Sequence, residues 1–99
     1  MSLFFLNNRV ARLQGRLYSG NLSEIQYKIE SALDVTQSLI IDLNPLEMLD
    51  SAGVYMLYIV TNKARENNKE IFLVCSKNES VKIIFSNVGI HYFSSLPKL

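Results

Sequence analysis

A serine beside an aspartate offers the most distinctive chemistry in this sequence. Ser51 follows Asp50 and precedes Ala52 and Gly53, and a serine hydroxyl can act as a nucleophile or accept a phosphoryl group. The segment lacks the G-x-S-x-G pattern that exposes a nucleophilic serine on a strained turn. Ser and Asp are also favoured helix N-caps. On these residues alone, the simplest role of Ser51 is to cap the helix that follows, and catalysis is not indicated.

Other reactive residues do not combine into a recognisable catalytic or metal site. The glycine motifs that cradle phosphate or bind dinucleotides are absent. A strand end and a proline loop separate Asp42, Glu47 and Asp50, so they do not form a carboxylate pair. Cys75 and His91 are too few for a structural zinc site of four ligands, and a single cysteine excludes an internal disulfide. We therefore expect a protein that is not an enzyme and folds without metal, cofactor or disulfide.

The balance of charged and apolar residues fits one small domain. Of 99 residues, 48% are hydrophobic and 19% are charged, and the formal net charge is +1. A nucleic-acid binder needs a surplus of cations against phosphate, and Arg9, Arg12 and Arg16 form only a modest local excess. The longest apolar run is far shorter than the roughly 18 residues that indicate a membrane span. We expect a single domain over residues 1–99, cytoplasmic, a monomer or weak dimer, with no nucleic-acid partner and no direct membrane insertion.

Hydrophobic periodicity predicts an alternation of strands and helices that would position Ser51. Apolar runs and period-two alternation predict strands at 3–6, 9–14, 38–43 and 71–75, with Asn7 and Asn8 as a hairpin turn. Apolar residues at helical spacing predict helices over 22–34, 51–66 and 81–88. The first half of the second helix is apolar on nearly every side, so we expect it to be deeply packed. Residues 16–21 are predicted as a loop, and residues 90–93 as a short strand or tail.

This order of elements predicts the fold class. Strands that alternate with helices are typical of βαβ units, whose crossovers make consecutive strands parallel. The first hairpin adds an antiparallel edge. We therefore predict an α/β domain with a mixed, mostly parallel β-sheet packed against about three helices.

An ordered series of short motifs runs through these elements. Residues 39–44 read Leu-Ile-Ile-Asp-Leu-Asn, and residues 49–54 read Leu-Asp-Ser-Ala-Gly-Val. The series continues through residues 70–74 and 80–85 and closes with Val88-Gly89-Ile90 and Phe93. Over residues 9–93 it resembles the STAS domain family, the sulfate transporter and anti-sigma factor antagonist domains. The resemblance implies a STAS-like fold, in agreement with the order of elements.

The nearest group by resemblance is the free-standing anti-sigma factor antagonists. In that group the serine after the aspartate, here Ser51, is phosphorylated by an anti-sigma factor that is also a serine kinase. The unphosphorylated antagonist binds the kinase and frees the sigma factor, phosphorylation releases it, and a phosphatase resets the switch. The resemblance implies these partner-binding residues: Arg16, Leu17, Tyr18, Ser19, Asp50, Ser51, Ala52 and Gly53.

Two tyrosines depart from the family pattern. Tyr18 stands where many members carry an acidic residue that faces the partner, and Tyr55 stands where a small residue often follows the serine motif. These departures bear on the identity of the partner. Two alternative functions also stay open. One is a constitutive, non-catalytic STAS subunit of a larger assembly, of the lipid-transporter or stressosome type. The other is a sensor that binds a small anion or nucleotide phosphate at the start of the second helix.

Overall fold

Six strands and three helices alternate along residues 4–88, the part of the chain that this computed structural model describes. The strands are Phe4–Asn7 (β1), Val10–Leu13 (β2), Gly15–Leu17 (β3), Ser38–Asp42 (β4), Leu46–Leu49 (β5) and Glu70–Val74 (β6). The helices are Leu22–Leu33 (α1), Ser51–Glu66 (α2) and Glu79–Val88 (α3). The strand or tail predicted over residues 90–93 lies outside the described residues.

The main sheet has four strands in the order β1-β2-β4-β6. β1 and β2 are antiparallel, whereas β2 pairs with β4 and β4 pairs with β6 in parallel. The hairpin turn lies one residue later than predicted, because Asn7 still pairs with Val10. Asn8 in that turn has a φ of 57°, a conformation that asparagine tolerates better than most residues. The predicted fold class, a mixed sheet with an antiparallel first hairpin and three helices, is confirmed.

The core lies where α1 and α2 pack against each other and against the main sheet. The predicted apolar face of α1 is confirmed, since Ile25, Ile29 and Leu33 are buried. The prediction that the first half of α2 is deeply packed holds on one side of the helix only. Its buried stripe includes Val54 and Leu57, but the opposite side is open. A helix that lies on a sheet beside one other helix buries only the part of its surface that faces them.

A second, two-stranded sheet is the feature that the sequence patterns did not predict. β3 and β5 pair in parallel, with Leu17 opposite Leu49. The loop prediction for residues 16–21 is therefore wrong at its start, where Arg16 and Leu17 belong to a strand. Gly15 has a φ of 81°, a left-handed conformation that favours glycine. This lets the chain leave β2 and enter the second sheet within two residues.

Asn78 ties the loop before β5 to the start of α3. Its side-chain Nδ2 donates to the carbonyl oxygens of Leu43, Asn44 and Leu46, at 3.1, 3.2 and 2.9 Å. Its Oδ1 accepts a hydrogen bond from the backbone N of Val81 at 3.3 Å, in the first turn of α3. One half-buried amide thus serves both as a helix cap and as an anchor for the approach to β5.

We expect Asn78→Ala to lower the free energy of unfolding by about 2 kcal/mol, because it removes the hydrogen bonds to three carbonyl groups together with a helix cap. Urea denaturation measures this change. Asn67→Ala is the matched control, since the Asn67 amide is exposed and donates only to the Lys63 carbonyl, at 2.8 Å. Equal destabilisation by the two substitutions would contradict the anchoring role of Asn78.

Candidate functional site

The carboxylate of Asp50 joins two segments at the start of α2. Its Oδ1 accepts a hydrogen bond from the backbone N of Gly53 at 2.9 Å, and its Oδ2 accepts one from the backbone N of Ser19 at 3.3 Å. The backbone N of Asp50 in turn donates to the Leu17 carbonyl at 3.2 Å. One aspartate therefore caps α2 and holds the loop that follows β3 against it.

Ser51 is left exposed by this arrangement. The helix starts at Ser51 as predicted, but its N-cap is Asp50, so the simplest role that the sequence suggested for Ser51 is wrong. Ser51 is the first residue of the helix and is exposed. The Ser51 hydroxyl makes no hydrogen bond within the described part of the chain. A hydroxyl at this position is accessible to a modifying enzyme or a partner.

A network around Asn21 fixes the backbone of the loop that carries Tyr18. The Asn21 side chain accepts a hydrogen bond from the Tyr18 backbone N at 3.1 Å and donates to the Arg16 carbonyl at 2.8 Å. The Tyr18 ring lies against Gly20, where a Cβ would overlap it. The Tyr18 side chain nevertheless keeps 42% of its surface exposed. The Tyr18 ring is thus exposed to solvent on a turn beside Ser51 whose backbone is fixed by hydrogen bonds.

Gly53 and Leu17 form the buried base of the site. A Cβ on Gly53 would lie 2.7 Å from Leu49 Cδ1 and 3.2 Å from the Leu17 carbonyl oxygen, so α2 begins in direct contact with β3 and β5. Gly53 is buried, and Leu17 has no exposed surface. Leu17 and Gly53 therefore shape the turn from below, and the partner-binding role predicted for these segments stays a prediction.

The structure therefore brings residues 16–19 and 50–53 together, with some of them exposed and others buried. Arg16, Tyr18, Ser19 and Ser51 are exposed, and Asp50 and Ala52 are partly exposed. Leu17 and Gly53 support them from below.

An exposed apolar stripe on α2 extends the site beyond the predicted residues. Tyr55, Tyr58 and Ile59 expose 61%, 49% and 49% of their surfaces, and we call these three residues the α2 stripe. They follow Ser51 at spacings of four, seven and eight residues, so they lie on the same face of the helix. Helical spacing was the available signal, but the sequence patterns led us to expect a deeply packed first half of this helix. Clustered exposed apolar residues of this kind mark interaction surfaces.

The second sheet adds one more exposed apolar side chain near this turn. Met48 precedes Leu49 and Asp50 and pairs with Arg16 in the register of β3 and β5. Its side chain is 40% exposed, and Arg16 is exposed beside it. The surroundings of Ser51 thus combine aromatic and aliphatic groups with the arginine at position 16.

Cys75 lies in the core, away from these surfaces. Burial raises the pKa of its thiol to about 11, against a smaller lowering by the Lys82 ammonium. The side chain has no exposed surface. Within residues 4–88 no group of three or more His, Cys, Asp or Glu side chains is placed to hold a metal ion. The helices of the same residues include none that is long and apolar enough to cross a membrane.

We expect Cys75 to react with a thiol reagent at pH 8 far more slowly in the native protein than in the urea-unfolded protein, because the thiolate is the reactive form. The pKa of Cys75 is higher in the folded than in the unfolded protein. The contribution of this thiol to the free energy of unfolding is therefore fully present below about pH 9 and is lost as the pH rises toward about 11. Rapid labelling of the folded protein would contradict the burial of Cys75.

Comparisons with known proteins agree with this architecture. A model of the STAS domain family matches residues 6–96. The structure is also similar to that of the anti-sigma factor antagonist SpoIIAA in its unphosphorylated form. The TM-score is 0.72 at 22% sequence identity, over 88% of this chain and 79% of that chain. At this identity the structural likeness shows a shared fold, and the family match spans most of the sequence. The chain belongs to the STAS domain family.

Proposed function

We propose that this chain is a regulatory module of the anti-sigma factor antagonist type. In its unphosphorylated form it binds an anti-sigma factor that is a serine kinase, and phosphorylation of Ser51 releases it. The observation that carries this proposal is the exposed Ser51 hydroxyl at the start of α2, while Asp50 takes over the capping role. The likeness to the fold of the antagonist SpoIIAA supports it.

The physical basis of release lies in the charge that phosphorylation adds. A phosphate on Ser51 would bring a charge of about −1.5 to −2 at neutral pH. The positive end of α2 favours that charge, whereas the adjacent Asp50 carboxylate opposes it. These effects offset each other within the domain, so the fold is retained. A partner packed over Ser51 must instead accommodate a dianion where a hydroxyl lay.

The partner surface in this proposal is built around the turn. Arg16, Tyr18 and Ser19 form one side of it, and Asp50, Ser51 and Ala52 form the other. The α2 stripe continues the surface along the helix. Tyrosine offers apolar contact area together with a hydroxyl, and it is enriched among the residues that dominate binding energies. A phosphatase would restore the binding form.

The α2 stripe also supports a second candidate, a constitutive subunit of a larger assembly. Exposed apolar side chains clustered on one helix face suit an interface that is rarely exposed to water. In that case binding would not depend on the phosphorylation of Ser51. An anion sensor is less favoured, because the Asp50 carboxylate already accepts the backbone N–H of Gly53 and would repel a bound anion.

Phosphosite mapping on a captured complex tests the proposal. The tagged chain is used to isolate its partner from cells of its source, ATP is added, and the modified residue is identified by mass spectrometry. We expect phosphate on Ser51, and none on the Ser51→Ala variant captured in parallel. A complex that leaves Ser51 unmodified in the presence of ATP would overturn the proposal and favour the constitutive subunit.

Replacing Tyr18 by alanine should weaken binding of the captured kinase by about 1 kcal/mol or more, as is typical when a contact tyrosine is truncated. Isothermal titration calorimetry gives the change. Tyr27→Ala is the control, since Tyr27 is 72% exposed but lies on α1. If the two substitutions have the same effect, Tyr18 is an ordinary surface residue.

A further inference from the structure

The α2 stripe occupies the middle of the exposed side of α2. The helix runs from Ser51 to Glu66, and the three stripe residues lie between positions 55 and 59, so the centre of the stripe falls close to the middle of the helix. The two ends of the same side are polar and exposed, with Ser51 at the start and Arg65 and Glu66 at the end. A helix face that is apolar in its middle and polar at both ends is suited to packing against another helix.

α2 is placed so that a second molecule can reach this side. It contacts α1, α3 and β6, so its buried residues face inward and the α2 stripe faces solvent. On one flank, Lys63 is paired with Glu30 of α1, with 3.3 Å between Lys63 Nζ and Glu30 Oε2. The Arg65 guanidinium, in contrast, makes no ion pair or hydrogen bond within residues 4–88. The end of α2 therefore carries an exposed cation that no described anion neutralises.

We propose that the exposed side of α2 is a self-association surface, which packs in antiparallel orientation against α2 of a second copy of this chain. A two-fold axis at the centre of the α2 stripe brings the three apolar side chains of one copy against the same three of the other. Asp50 and Arg65 lie at nearly equal distances along the chain from that centre. The same axis therefore places Arg65 of each copy level with Asp50 of the other.

The charges of the two copies are complementary in this arrangement. The Asp50 carboxylate is partly exposed, and its hydrogen bonds from Gly53 and Ser19 leave acceptor capacity for a guanidinium. A two-fold axis perpendicular to both helices keeps each flank opposite the same flank. At about 100° per residue, Arg65 lies on the flank toward Asp50, and Glu66 lies on the other flank. Glu66 therefore comes close to the start of the second α2, where a carboxylate is favoured.

The size of the surface makes the dimer weak. Three apolar side chains and two charged groups on each copy bury less than the roughly 1,000 Å² that a stable interface needs, so we expect a dimer that dissociates on dilution. The dimer and a partner bound at the α2 stripe exclude each other, because both use the same side of the helix. This competition rests on the function proposed above, whereas the self-association does not, since it requires only the chain itself.

Sedimentation velocity of the purified full chain over a concentration series tests the proposal. We expect the wild type to form a dimer as concentration rises. Arg65→Glu should raise the dissociation constant about tenfold or more, because it sets two carboxylates opposite each other. Arg12→Glu is the matched control, since it makes the same change of charge at an exposed arginine of β2, and it should dimerise as the wild type does.

Two results of this experiment would overturn the proposal. One is a monomer at every concentration, and the other is a dissociation constant that Arg65→Glu and Arg12→Glu change equally. Neither result would bear on the binding of a kinase, because no partner is present in the experiment. Failure of the self-association is therefore distinguishable from failure of the proposed function.

A cysteine at position 58 tests the antiparallel register, because this residue lies next to the two-fold axis. The axes of packed helices lie about 8–10 Å apart, so facing Cα atoms come within the range of about 4.4–6.8 Å that a disulfide spans. We expect Tyr58→Cys to form a disulfide-linked dimer under mild oxidation, and Val35→Cys, at a site that is 84% exposed, to do so far more slowly. The native Cys75 is buried and does not interfere. Equal rates for the two variants would contradict the register.

Discussion

Replacing Ser51 by aspartate is expected to weaken binding of the serine-kinase partner about a hundredfold or more, the loss typical of a dominant contact. The substitution adds a negative charge at an exposed position next to Asp50. The domain tolerates that charge because the start of α2 is favourable for anions. A partner surface packed against the turn must desolvate it. Calorimetry measures the affinity, while circular dichroism and the melting temperature should barely change.

Two further variants separate this effect from a general effect of charge. Ser80→Asp is the matched control, since Ser80 is exposed, lies in the first turn of α3 and also follows an acidic residue, Glu79. It should bind the partner as the wild type does. Ser51→Ala should bind as well but resist phosphorylation. Equal affinities of Ser51→Asp and the wild type would assign partner binding to another surface.

Replacing Gly53 by valine is expected to lower the free energy of unfolding by about 3 kcal/mol or more, at the upper end of the cost of overpacking. Its Cβ would lie 2.7 Å from Leu49 Cδ1 and 3.2 Å from the backbone carbonyl of Leu17. The Leu49 side chain can rotate, but the Leu17 carbonyl belongs to β3 and accepts the hydrogen bond of Asp50. The start of α2 must therefore move away from the second sheet. Urea denaturation measures the loss.

Gly20→Ala is the control for this substitution. The three atoms nearest to a Cβ at Gly20 all belong to the ring and hydroxyl of Tyr18, an exposed side chain that can turn aside. We expect its effect on the free energy of unfolding to stay within about 0.5 kcal/mol, as for most surface changes. If Gly53→Val were as mild, the close contact between α2 and the second sheet would be wrong.

The main sheet and its helices were predictable because each carries a local signal. The apolar spacing of α1 and the compact apolar run of β4 follow from the side-chain period of one element alone. The pairing of β3 with β5 has no such signal, because it joins two strands that are short and distant in the chain. The central residues of β5, Glu47 and Met48, are both exposed, so its pattern does not alternate. Only the folded chain shows that these segments form a sheet.

The candidate site was predictable in its members but not in their roles. The serine motif and the loop before α1 were identified from the family resemblance, and the structure brings them together through Asp50. Whether a side chain is exposed depends on what packs over it, which the motif does not encode. This is why the predicted partner-binding residues include the buried Leu17, and why the first half of α2, which carries the exposed Tyr55 and Tyr58, was expected to be deeply packed.

The affinity of the partner kinase for unmodified and Ser51-phosphorylated protein, measured by calorimetry with the same preparation of partner, tests the central claim most directly. We expect phosphorylation to weaken binding about a hundredfold or more, phosphatase treatment to restore it, and the fold to stay unchanged. Equal affinity of the two forms would contradict the account, and the chain would then be a constitutive subunit that binds through the α2 stripe.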